Sequence, residues 1–169
     1  MIEYTQADYS LRRLLPVDWR SFKRIRLEAL ATDPSVYGSN LVKESGFPDE
    51  QWQQRLAQPG SAYWGLFQTE ELVGLTGIYS DPELPEEAKL IASFIRPVHR
   101  GKGLSALFYT ARVDWAKEKA LKRLIVSHRA GNDSSRAAIQ RAGFRYTHSE
   151  DQHWPDGRDA GHLFYSLEL

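Results

Sequence analysis

The sequence predicts a single mixed α/β domain, and three observations carry that prediction. Leu104, Leu107, Phe108, Ala111 and Trp115 recur at spacings of three and four, which puts them on one buried helix face. Leu163, Tyr165, Leu167 and Leu169 alternate with polar residues, as a half-buried strand does. Between these, the run from Phe94 to Ser105 reads as a strand stopped by Pro97, then a basic glycine turn, then the start of a helix. At 169 residues the chain is one domain, 1–169, long enough to bury a core without covalent staples.

The elements follow in order. Ser10 to Leu15 reads as a first strand, and Asp18 as the cap of a helix whose Trp19, Phe22, Ile25, Ala29 and Leu30 face inward until Pro34 stops it. Ser35 to Phe47 is polar and reads as irregular; Pro48 then suits the first turn of a short helix carrying Trp52 and Leu56. Ala62–Phe67 and Leu72–Ile78, joined by Gln68-Thr69-Glu70-Glu71, form a hairpin, and the two prolines of 81–87 mark a loop. Leu90 to Arg96 is the strand entering the glycine turn. Leu124 to His128 follows the long helix, Ser134 to Ala142 makes another helix closed by Gly143, and Phe144–Ser149 pairs with Leu163–Leu169.

Composition narrows the function. Lys plus Arg equals Asp plus Glu, 22 each, so no global field recruits nucleic acid or an anionic membrane. The basic run 117–123 has no interleaved aromatics and reads as a solvated helix end. There is no cysteine, which removes disulfides, thiolate nucleophiles and Cys-based zinc sites together. The start Met1-Ile2-Glu3-Tyr4 has neither a basic nor an apolar leader segment, so a cytoplasmic protein is expected. The stretch from His148 to Asp159 holds ligand-type residues without zinc-like spacing; no metal is expected there, and Trp154 and Arg158 read as the rim of an acceptor pocket.

The glycine turn is the strongest functional signal. Gly103 stands at a helix start, where free N–H groups and the positive end of the dipole attract an anion, and Arg100 and Lys102 add charge. A nucleoside-triphosphate loop would need G-x-x-x-x-G-K-[ST], and Arg96 and Gly103 break that pattern. Gly101, Gly103 and Ala106 satisfy the dinucleotide pattern G-x-G-x-x-[GA], but no ribose-binding acid stands about 20 residues on. A coenzyme A pyrophosphate site fits the order of strand, proline, arginine, glycines and helix.

The chain here resembles the GCN5-related N-acetyltransferase (GNAT) family, whose acyl-CoA loop reads [QR]-x-x-G-x-[GA]. Arg100-Gly101-Lys102-Gly103-Leu104-Ser105 matches all but the last position. Asn132 followed by Gly143-Phe144 has the family's spacing, and Arg26-Leu27-Glu28-Ala29-Leu30, Asp33-Pro34 and Tyr37-Gly38-Ser39 resemble one of its branches. The resemblance implies a mostly antiparallel central sheet flanked by helices, splayed between two parallel strands, with acetyl-CoA in the opening and no metal. It implies cofactor contacts from Phe94, Ile95, Arg96, Arg100, Gly101, Lys102, Gly103, Leu104, Ser105, Asn132 and Ser135, with a backbone N–H of 94–96 facing the thioester oxygen. The resemblance implies that the region of Ser35 to Phe47 borders the acceptor; the segment itself would serve a homodimer as readily.

The family's usual acid and base are missing. The tyrosine that serves many members falls at Ile139, and the glutamate base of the ribosomal-protein-acetylating branch falls at Ser127. His128, at the end of a central strand, has a suitable pKa class for a base; it also reads as a strand-end histidine satisfied by hydrogen bonds. Glu86 and Glu87 could overhang the site, Tyr79 and Asp81 are comparable candidates, and a water relay needs no side chain at all. The expected activity is transfer of acetyl from acetyl-CoA to a primary amine of a small molecule, peptide or protein, by direct attack in a ternary complex. The alternative is an acyl-CoA-binding sensor of the same fold with little catalysis.

Overall fold

The computed structural model describes residues 2–169. In chain order they form β1 (Tyr4–Gln6), β2 (Tyr9–Arg13), α1 (Trp19–Thr32), α2 (Leu41–Ser45), α3 (Asp49–Ala57), β3 (Ser61–Gln68), β4 (Glu71–Tyr79) and β5 (Glu87–Ile95). There follow α4 (Ser105–Glu118), β6 (Arg123–Arg129), α5 (Asp133–Arg141), β7 (Arg145–His153) and β8 (Asp159–Glu168). The strands make one eight-stranded sheet, ordered β1-β2-β3-β4-β5-β6-β8-β7. Each β-hairpin in the sequence brings its two strands together antiparallel, whereas β5 must cross over through α4 to reach β6 and so lies parallel to it.

That parallel ladder is short. It runs only from Glu87–Lys89 against Arg123–Ile125. Beyond it the two strands diverge, and the opening lies where β5 approaches the glycine turn. The strand itself is bent there: the β4–β5 register shifts between Leu75 and Gly77, beside Ala92 with φ 58°. A non-glycine residue held in the left-handed region marks a bulge that re-aims its neighbours.

Helices cover both faces. Phe22, Ile25, Ala29 and Leu30 of α1 and Trp52 and Leu56 of α3 pack with Tyr63, Leu75 and Phe94 on one side. Phe108, Ala111 and Trp115 of α4 and Ile139 of α5 pack with Leu66, Ile78, Leu124, Val126 and Tyr165 on the other. Burying each such large side chain contributes about 1.5–3 kcal/mol, so the two clusters fix the sheet between its helices. Among the described residues, no helix is long and apolar enough to cross a membrane.

Local details differ from the sequence reading. The first strand is a hairpin, β1 and β2, turned at Ala7 with φ 52°, where no Gly or Asn advertises a turn. Asp18 does not cap α1: its Oδ2 accepts from Leu15 N at 2.8 Å and closes the 3-10 turn Pro16–Asp18. The polar segment 35–47 contains α2, capped by Asn40, whose side chain accepts from Lys43 N at 2.8 Å. Glu87 belongs to β5, not to the preceding loop.

Candidate functional site

A cavity of about 410 Å³ lies at the splay. Ile91, Ala92 and Ser93 of β5 form one wall, and Ser127 and His128 of β6 another. Phe22 and Arg26 of α1, Tyr37 and Ser39 from the following connection, Arg55 of α3 and Tyr63 of β3 close one side. Tyr109 and Arg112 of α4 and Asn132, Ser135 and Ile139 at the start of α5 close another, with Gln152, Trp154 and His162 from the β7–β8 pair.

The bulge sets the wall chemistry. Ser93 C=O accepts from Tyr37 Oη at 2.9 Å, while Ser93 Oγ accepts from Arg112 Nη1 at 2.9 Å and lies 2.9 Å from Thr76 Oγ1. Arg112 is fully buried on the inner face of α4, with Nε donating to Phe108 C=O at 3.1 Å. Burial lowers its pKa to about 10, so it stays charged at neutral pH.

Two histidines face the opening from different sides of the sheet. His128 is buried, and both ring nitrogens are engaged: Nδ1 with Arg129 C=O at 2.7 Å and Nε2 with Tyr165 Oη at 2.9 Å. A carbonyl only accepts, so Nδ1 carries a proton, and Nε2 is engaged with the Tyr165 hydroxyl. His128 is a satisfied strand-end histidine.

His162 is arranged otherwise. Its Nδ1 lies 2.7 Å from Gln152 Oε1 and its Nε2 lies 2.7 Å from Ser127 Oγ. With the carboxamide oxygen accepting from Nδ1–H, Nε2 is left to accept from the serine hydroxyl. Burial pulls the His162 pKa below 6.5; Glu150 opposes that, and His128 and His148 add to it. The ring is therefore a neutral base at physiological pH, coupled through Ser127 to the cavity.

The glycine turn lies outside this cavity, at the N-terminus of α4. Gly101 has φ 77° and Gly103 φ 73°, left-handed conformations that other residues rarely adopt, and a Cβ at either position would meet no protein atom within 4 Å. The N–H groups of Gly101 to Ser105 donate to no acceptor among the described residues, whereas Ala106 N and Leu107 N reach back to Gly103 and Leu104 C=O. The result is an open row of donors. The flanking side chains are partly committed. Arg100 donates to Ile95 C=O at 2.7 Å and Asp33 at 2.6 Å, and Arg96 is held by Glu28 at 2.8 Å and Glu71 at 2.6 Å. Phe94 and Leu104 are core side chains, so only their backbone can face a ligand.

Asn132 lines the cavity and also caps α5, its Oδ1 accepting from Ser135 N at 3.3 Å. Glu87 does not join it: the residue starts β5, opposite Arg123 and 3.7 Å from its guanidinium, and with Glu86 borders a separate depression. Trp154 lines the cavity, with Nε1 donating to Ala160 C=O at 3.2 Å; Arg158 is exposed and does not.

The family model described as "Acetyltransferase (GNAT) family" matches residues 27–144, well over half of the chain. The chain belongs to the GNAT family. No curated protein matches it significantly in sequence. Among solved structures, ribosomal-protein-S5-alanine acetyltransferase from Vibrio fischeri superposes with a TM-score of 0.83 at 15% identity, covering 99% of this chain and 97% of that one. Ribosomal-protein-alanine N-acetyltransferase from Brucella melitensis gives 0.78 at 20% identity, covering 94% and 99%. Spermidine N-acetyltransferase from Vibrio cholerae, in complex with CoA and spermine, gives 0.78 at 15% identity, covering 96% of each. At these identities the likeness establishes the fold.

Within this GNAT domain, the residues missed by the sequence reading complete the site. Ile139 is a buried apolar wall, and the phenol near it is Tyr109, whose pKa is raised by burial against the opposing charge of Arg112, so it remains protonated. His162 stands on the strand parity that the sequence assigned to solvent. Glu44, in α2, is buried between Arg26 and Arg55: Arg26 Nε and Nη2 donate to it at 3.1 and 2.9 Å, and Arg55 Nη1 at 3.0 Å. The sequence reading expected a short helix after Pro48 carrying Trp52 and Leu56, and Arg55 lies on that helix, α3, but nothing in the reading pointed to the cluster.

Proposed function

We propose that this GNAT protein transfers an acetyl group from acetyl-CoA to a primary amine by direct attack in a ternary complex. The observation that carries the reading is the Ser127–His162 hydrogen bond at the cavity wall, 2.7 Å long. It supplies a base at the position where the resembling branch carries a glutamate.

The chain's residues fit acetyl-CoA. The free N–H groups of Gly101 to Ser105 suit its pyrophosphate, with Lys102 beside them, while Asn132 and Ser135 border the arm. The cosubstrate brings an acetyl group already activated as a thioester. The protein's task is proton management and positioning. An amine arrives largely protonated and must lose a proton to become a nucleophile. Ser127 Oγ accepts that proton as it passes its own to His162 Nε2, and Gln152 Oε1 stabilises the imidazolium through Nδ1–H. As the C–N bond forms and the C–S bond breaks, the departing thiolate takes a proton from Tyr109, and the nitrogen, on becoming an amide, gives up its second proton, which restores the phenol. No cysteine is present to carry the acetyl group on the enzyme.

The test is calorimetric titration with acetyl-CoA, set against NADH, for the wild type and Gly103→Asp, followed by thiol release across amine classes. Acetyl-CoA binding abolished by the substitution, with release of thiol on addition of an amine, is the expected result. Preference for NADH, or acetyl-CoA binding indifferent to Gly103→Asp, overturns the reading.

A further inference from the structure

We infer that the acceptor is a small amine that also carries a carboxylate, held by Arg26, Arg55 and Tyr63 while its amine faces Ser127. This rests on the acetyl-transfer reading and adds the acceptor's class. The cavity walls include Arg26, Arg55 and Arg112 and not one Asp or Glu side chain.

The charges do not cancel. Glu44 lies behind the wall and carries one negative charge between two guanidiniums. Arg112 donates to Phe108 C=O and Ser93 Oγ, both uncharged, and lies 4.7 Å from the ring centroid of the neutral Tyr109, so no carboxylate offsets its charge. The lining is therefore left with surplus positive charge in a partly desolvated space, where electrostatic preferences are strong.

The donors do not balance either. Arg26 is 9% exposed, and its Nη1 is buried without any partner. Arg55 donates only its Nη1 to Glu44 among the described residues, and its guanidinium lies 5.0 Å from the Trp52 ring centroid, leaving the rest of a planar fork uncommitted. The Tyr63 hydroxyl lines the same cavity and has no protein partner among the described residues. Fork-shaped donors match a carboxylate in two parallel hydrogen bonds. A polyamine would instead bring a second positive charge against this lining, which is a repulsive term against that class.

Size favours a free small molecule. The cavity, about 410 Å³, is at the lower end of small-molecule pockets and must also admit the thioester end of the cosubstrate.

The experiment is calorimetric titration of the CoA-saturated protein with matched series. The series are β-alanine, β-alaninamide and 1,3-diaminopropane, the common amino acids against their amides, and a short acidic peptide. Wild type, Arg55→Gln and Arg55→Lys are compared. The expected result is at least one free amino acid bound roughly 10- to 100-fold more tightly than its amide, as loss of a charge-assisted pair predicts. Arg55→Gln erases that preference and Arg55→Lys restores part of it. Diamines or amides binding as well as their carboxylates overturns the inference, as does no binding in any series or binding of the peptide alone. So does a preference that Arg55→Gln leaves intact. Thiol release, measured separately, tells the two readings apart: tight carboxylate binding without turnover sinks acetyl transfer and leaves this inference standing, while turnover on diamines does the reverse.

Discussion

Ser127 Oγ and His162 Nε2 are 2.7 Å apart, joined across β6 and β8 rather than along one strand. The pair makes a direct kinetic prediction. Ser127→Ala and His162→Gln should each lower kcat by about 10²–10⁴, the usual worth of a positioned base, and the double variant should cost little more than the worse single one, because the two act as a unit. Additive losses would show that they do not share one proton path.

The same pair fixes a pH dependence. A base works only when deprotonated, so kcat/KM should be present above the His162 pKa and lost as pH falls through it. Burial sets that pKa below 6.5, so the acid limb should lie on the acid side of 6.5. Glu150, which raises it, and His128 and His148, which lower it, are the neighbours whose charge acts on it. In His162→Gln the limb should vanish; an unchanged limb assigns it to another group.

Much of this could be read from the chain, and the failures have physical reasons. The α4 stripe was legible because Leu104, Phe108, Ala111 and Trp115 keep a helical period, and each is buried. Arg112 shares that face, but a charge on an apolar stripe reads as its edge, so the buried cation was invisible. His162 was missed because strict alternation assigns 162, 164 and 166 to water. In fact β8 lies between β6 and β7, and its second face is partly covered. The loop was found from glycine spacing, which survives folding because it reflects local backbone need. Glu87 lies away from the cavity because proximity in sequence to the splay says nothing about which end of β5 a residue occupies.

Tyr109 should matter to the leaving step alone. Tyr109→Phe keeps the ring packed on Phe144, whose centroid is 5.8 Å away, and removes only the hydroxyl. Steady-state kinetics should show kcat reduced by roughly 10- to 100-fold with the acceptor KM nearly unchanged. A rise in KM with kcat intact would mean that the hydroxyl binds rather than donates.

Glu44 ties stability to acid. Burial alone would raise its pKa, but Arg26, with Ser39 and Arg55, outweighs burial and holds it at about 2 against an ordinary 4.5. A group depressed in the folded state stabilises above its unfolded pKa and ceases to do so as pH falls through the folded one. Stability should therefore decline between about pH 4.5 and 2. Glu44→Gln leaves two guanidiniums without their counter-charge and should cost about 3–5 kcal/mol by denaturant titration at neutral pH, with a flatter acid profile. A variant as stable as wild type would show that solvent reaches the cluster.

Tyr9 of the N-terminal hairpin should bear on the proposed acetyl-CoA affinity. Its hydroxyl accepts from Lys102 Nζ at 3.1 Å and lies 2.8 Å from His99 Nδ1, while Gln6 Nε2 donates to Lys102 C=O at 2.9 Å. One hydroxyl thus links His99, ahead of the glycine turn, to Lys102 within it. The ring itself is core, 4% exposed, so Tyr9→Phe should fold normally. Losing the two hydrogen bonds, about 1 kcal/mol each, frees a turn whose donors must be aligned before an anion arrives. Acetyl-CoA should then bind roughly 5- to 30-fold more weakly, with kcat at saturation nearly unchanged. Equal affinity in the two proteins would mean that the left-handed glycines hold the turn without help from β2.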